Sequence, residues 1–96
     1  MRKYELMYII RPDLEENQVE QAIEKVKSTI EGNGGEITNH DVMGKRRLAY
    51  EIDKFRDGVY VLVNFAASTE TVESLEHVIR INDEIIRHLV IQDQAS

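Results

Sequence analysis

Cysteine is absent from this 96-residue chain, proline occurs once, glycine five times, and aromatic residues make up only 6%. The lack of cysteine excludes disulfides, thiolate catalysis and cysteine-built zinc or iron–sulfur sites, and it fits a reducing cytosol. Long hydrophobic runs are also missing. The apolar stretch after Met1-Arg2-Lys3 is interrupted by Glu5 and stopped by Arg11-Pro12, so neither a signal peptide nor a membrane span is expected and the protein reads as soluble and cytoplasmic. What remains, 42% hydrophobic and 31% charged residues, is the composition of a compact domain with a single core rather than of a disordered tail.

Positive charge is scarce overall, with a net charge of −6. That balance argues against a nucleic-acid partner, because phosphate binding draws on Lys and Arg. Its distribution points the other way. Residues 13–31 carry −4 and residues 69–84 carry another −4, which leaves +2 on the rest of the chain. The positive groups of that remainder are Arg2, Lys3, Arg11, Lys45, Arg46, Arg47, Lys54, Arg56 and Arg87. Charge is therefore sorted by segment.

Arg2 to Ile10 is rich in β-branched and aromatic types and is closed by Pro12, which reads as a first strand. Asp13 followed by Glu16 resembles a capping box, and Val19, Ile23, Val26 and Ile30 recur at helical spacing, so a helix is expected to about Glu31, where Gly32-Asn33-Gly34-Gly35 stops it. Glu36 to Ile52 reads as a long extended segment with a bulge at Gly44, and with Leu48, Tyr50 and Ile52 on one face. Asp53 to Gly58 reads as a polar hairpin loop, and Val59 to Ala67 as its second strand. Ser68 or Thr69 can cap a second helix bearing Val72, Leu75 and Ile79, ending near Asn82-Asp83. Ile85 to Ile91 is a last strand, with frayed residues from Gln92 to Ser96.

This β-α-β-β-α-β order predicts an α+β, ferredoxin-like split sandwich over residues 1–96: a four-stranded antiparallel sheet with two helices on one face. Ile23, Val26, Ile30, Leu75 and Ile79 are expected to pack on the sheet face bearing Leu6 and Phe65, with Met7 and Leu62 adding apolar area to the open face. The acidic helices then point away from that open face, and the strand cations are left to meet a polyanion.

Chemistry finds no home in the pattern. His40, His77 and His88 are too far apart for a two-ligand helix motif, and GxSxG, P-loop and GxGxxG patterns are missing. Glu16/Glu20 and Glu20/Glu24 fall at i, i+4 spacing, the pattern of a solvated face. Lys45-Arg46-Arg47 has two readings, a phosphate grip or a guard that keeps an edge strand from pairing with another sheet. Tyr4, Tyr8, Tyr50 and Tyr60 are read as core or half-core residues before base-stacking platforms. Gly58-Val59-Tyr60-Val61-Leu62-Val63-Asn64-Phe65 has the glycine of an RNA-recognition-motif strand but lacks its alternating aromatics. A regulatory ferredoxin-like module would work as a homodimer or through a sheet-edge pocket. An acylphosphatase-like enzyme would need an anion cradle after the first strand, where Arg11-Pro12-Asp13-Leu14 offers an arginine without glycines.

Three blocks, MRKYELMYIIRPDL, GKRRLAYEI followed by KFRDGVYVLVNF, and RINDEIIRHLVI, resemble the bacterial small-subunit ribosomal protein six family, in matching order and over nearly the whole chain. The resemblance implies a structural, non-enzymatic protein of the ribosome, bound to the central domain of 16S ribosomal RNA at the subunit platform and paired with ribosomal protein eighteen. No cofactor, metal, small-molecule substrate or membrane is implied. Carried onto this chain, the family pattern offers Arg2, Lys3, Lys45, Arg46, Arg47, Tyr50, Arg87 and His88 as RNA or partner contacts, and Lys54 in the hairpin loop joins them. Glu51 stands where many members have proline, and the charged C-terminal extension of some members is missing.

Overall fold

The computed structural model describes residues 1–93. Its elements run β1 (Arg2–Ile10), α1 (Glu16–Gly32), β2 (Glu36–Ile52), β3 (Phe55–Ala67), α2 (Thr69–Arg80) and β4 (Ile85–Gln92). The strands form one sheet in the order β2-β3-β1-β4, with every neighbouring pair antiparallel. This is the ferredoxin-like split arrangement expected from the element order.

Strand alternation gives the sheet two faces. On β1, Tyr4, Leu6, Tyr8 and Ile10 are buried against the helices and pair with Phe65, Val63, Val61 and Val59 of β3. The helices close the core with Ala22, Val26, Ile30, Val72, Leu75 and Ile79, while Ile23 packs half-buried against it. Tyr4 stacks on Phe65 with ring centroids 5.6 Å apart. Ala22 extends the expected core, and Tyr8 takes the core place read for it; the Tyr8 hydroxyl is buried with no hydrogen-bond partner among the described residues, and that burial pushes its pKa upward. The helix ends are tied together, since the Thr71 hydroxyl donates to the Asn33 carbonyl at 2.8 Å.

Three boundaries differ from expectation. Helix α1 starts at Glu16, capped by Glu15, whose amide donates to the Gln18 side chain at 3.0 Å. Asp13 is not the cap because Arg11 takes both of its carboxylate oxygens, at 2.8 and 3.0 Å, and that hydrogen-bonded cation holds the Asp13 carboxyl below its usual range. The β2–β3 turn is two residues long, not six: Asp53 and Lys54 both take positive φ (48° and 72°), and Ile52 already pairs with Phe55. Two left-handed residues make a turn whose twist matches the strands it joins. Gly58 belongs to the strand instead, where an added Cβ would overlap the Ile9 side chain. Finally, β4 continues through Gln92, and the Asp93 amide donates to the Lys3 carbonyl at 2.8 Å, so the fraying expected from Gln92 does not begin there. Residues 94–96 of that expected frayed tail lie outside the described residues.

Candidate nucleic-acid and partner interface

The open face of the sheet is shaped by the long β2–β3 arm. The register of β2 against β3 slips at Gly44, which has a φ of 88°, confirming the expected bulge. It slips much further beyond Arg47: Arg47 pairs with Asp57 and Ile52 with Phe55, so residues 48–51 stand opposite Arg56 alone. Four residues against one force the strand to arch.

The arch reaches across the open face. Leu48 and Ile9 are each only 7% exposed although both lie outside the core cluster under the helices, so each shields the other's side of the sheet. Together with Met7, Tyr50, Tyr60 and Leu89 they line a shallow recess of about 200 Å³. The Arg87 guanidinium, on β4, lies 5.6 Å from the centroid of the Tyr50 ring, a cation–π distance that ties the arm to the far edge of the sheet. Tyr50 nevertheless stays 59% exposed and Leu89 58% exposed. The recess is an apolar surface with a cationic rim, half-built and open to solvent.

The expected contact residues divide into four groups. Tyr50 and Arg87 meet at the recess. Lys45, Arg46 and Arg47 are exposed on the edge strand beside it, Arg46 on the open side opposite Gly58 and its two neighbours on the other, and Lys54 is exposed at the arm's tip. Arg2 and Lys3 lie at the opposite end of β1, paired with Ala67 and Ala66. His88 pairs with the core residue Tyr8 and so faces the helices, with its Nε2 3.7 Å from the Glu76 carboxylate, which also accepts from Arg80 at 3.1 Å. Adjacent residues on a strand point to opposite faces, so the Arg87 and His88 side chains project to different sides of β4. The exposed apolar residues Leu89 and Ile91 join the open face and were missed by sequence reasoning; their alternation with His88 and Val90 was the available signal.

Such an arrangement defines a small α+β binding module: acids on the helices, an apolar recess with cations on the open face, and a basic arm. Comparison with known proteins agrees with the type and specifies it. The model of the family described as ribosomal protein S6 matches residues 3–92. The small ribosomal subunit protein bS6 of Carboxydothermus hydrogenoformans is 48% identical over 93 residues, covering 97% of both chains, and that of Desulforamulus reducens is 50% identical, covering 97% of this chain and 98% of its own. The crystal structure of 30S ribosomal protein S6 from Thermotoga maritima superposes with a TM-score of 0.92 at 38% identity, over 96% of this chain and 87% of that one. The chain belongs to the ribosomal protein S6 family of the small ribosomal subunit. Its relatives are structural proteins of the translation machinery, not enzymes, which places its work at the cytoplasmic ribosome.

Proposed function

We propose that the chain binds the central domain of 16S ribosomal RNA, at the platform of the small subunit, as one half of a pair with ribosomal protein eighteen. The observation that carries this reading is the separation of surfaces. The acids Glu16, Glu20, Glu24, Glu70 and Glu73 are exposed on the helices, behind the sheet, where they do not oppose a polyanion arriving at the arm. Lys45, Arg46, Arg47 and Lys54 grip phosphates along the edge and tip of that arm, Arg through paired hydrogen bonds and Lys as a point charge. Tyr50 and Arg87, with the recess between Leu48 and Leu89, receive the protein partner. Arg2, Lys3 and His88 contribute from the margins of the sheet.

Division of labour follows from the small number of free cations. Four phosphate contacts give a weak, salt-sensitive complex, and a partner that adds charge and covers the apolar recess strengthens it. The test is the affinity for a central-domain fragment of 16S RNA with and without ribosomal protein eighteen. The expected result is at least about tenfold tighter binding by the pair, about 1.4 kcal/mol. Equal affinity in both arms contradicts the reading.

A further inference from the structure

The end of the open face remote from the arm has a different chemistry. Three strands contribute one polar side chain each to a continuous chain of hydrogen bonds: Asn39 Nδ2 on β2 donates to Asn64 Oδ1 on β3 at 3.3 Å, and Asn64 Nδ2 donates to Glu5 Oε2 on β1 at 3.4 Å. The register fixes this alignment, since Glu5 pairs with Asn64 and Asn64 with Asn39. Each carboxamide spends one N–H along the row and keeps the other, so the row offers both donors and acceptors, and its single full charge is the Glu5 carboxylate at one end. The row floors a cleft of about 670 Å³, bordered by Lys3, Thr38, Ile91 and Asp93. Lys3 and Asp93 stand on the same rim with opposite charge, so Glu5 sets the sign of the floor. Ile91, 50% exposed, supplies an apolar wall.

We infer that this cleft receives an arginine or lysine side chain of the protein partner that covers the open face. The inference rests on the reading of function above and assigns the two ends of the face: the recess at Leu48 and Tyr50 takes the partner's apolar groups, and the row at Glu5 takes its cation. The half-buried Glu5 carboxylate accepts one bond from the Asn64 carboxamide and keeps further lone pairs, which the N–H groups of a guanidinium or ammonium can fill. The cleft and the recess lie on one continuous face: Glu5 and Ile9 are four residues apart on one strand, about 13 Å, a span that five residues of an extended partner segment would cover.

The test compares the unsubstituted chain with Glu5→Gln and Glu5→Lys for binding to ribosomal protein eighteen by titration calorimetry, and for the salt dependence of RNA binding by the chain alone. Loss of the charge is expected to weaken partner binding several-fold, and its reversal by at least about tenfold, because like charges across an interface are strongly unfavourable. RNA affinity and its salt slope are expected to be unchanged by Glu5→Gln, and the urea midpoints of the two variants serve as the check on folding. Partner binding within twofold of the unsubstituted chain for the Gln variant and the Lys variant alike overturns the inference while leaving the function standing. A gain of RNA affinity with Glu5→Gln also overturns it, by showing that nucleic acid reaches this end. If the unsubstituted chain fails to bind ribosomal protein eighteen, the reading of function falls with it.

Discussion

Single side chains carry several consequences that the fold imposes on them. His40 points toward α1 from the edge strand, where its Nε2 is buried without a hydrogen-bond partner among the described residues. Desolvation lowers its pKa from the ordinary value of 6.5, Lys27 lowers it further, and Asp41 and Glu24 oppose the shift. A histidine whose folded pKa is depressed binds its proton more weakly in the folded chain than in the unfolded one, so its contribution is intact above about pH 6.5 and is lost as the pH falls toward the folded value. Urea midpoints at pH 8 and pH 5 are therefore expected to differ less for His40→Asn than for the unsubstituted chain, and an identical difference would show that His40 does not titrate in this way. The sequence reading of His40 as an ordinary surface or half-buried residue agrees with its half-buried place, but the orphaned Nε2 was not legible, because it depends on a helix that arrives from 16 positions upstream (Glu24 to His40). Asp13 was misread for a similar reason: its cap-like spacing to Glu16 is local, but the nearer claim of Arg11 on both its oxygens is stronger than a single cap bond.

Elements were legible wherever periodicity and side-chain type agreed. Strand β2 spans Glu36–Ile52 as expected, and the apolar stripe of α2 delivers Val72, Leu75 and Ile79 to the core. The arm's shape was not legible. Gly58 looked like a turn residue, yet its role is to let β3 approach Ile9, and the true turn falls on Asp53 and Lys54, whose positive φ no propensity favours as strongly as glycine's. The arch over residues 48–51 arises from a register slip between strands, a non-local property that a one-strand pattern cannot express. Leu48 is the pin of that arch. Truncating Leu48 to Ala is expected to cost about 2 kcal/mol and, because its contacts lie outside the helix-side core, to raise amide exchange chiefly in residues 45–60 while leaving the centre of β1 protected. Uniformly faster exchange through β1 and both helices would instead make Leu48 part of the global core.

For the whole molecule, the net charge of −6 and a nucleic-acid partner are reconciled by the layering, with the acids on the helices and the cations on strands and arm. The element order was sufficient to anticipate this, but which cations share a surface was not: helix docking decides that Arg87 faces out and His88 faces Glu76. The central claim, that the cations of the edge strand bind phosphate, competes with a purely protective role. Arg46 and Arg47 project to opposite sides of β2, which ends one side of the sheet, a position equally suited to straddling a phosphate backbone or to blocking a second sheet. The most direct test measures RNA affinity against salt for the pair formed with ribosomal protein eighteen, together with self-association of the chain, in a variant carrying Arg46→Ala and Arg47→Ala and in a control carrying Glu20→Gln and Glu24→Gln. Each phosphate contact contributes a slope of about −0.7 to −0.9 in log affinity against log salt. The account predicts a slope shallower by about 1.4 to 1.8 for the arginine variant, weaker assembly, and no change for the glutamate control. An unchanged slope and affinity, with the arginine variant sedimenting as oligomers, would contradict it and leave the edge guard as the role of these residues.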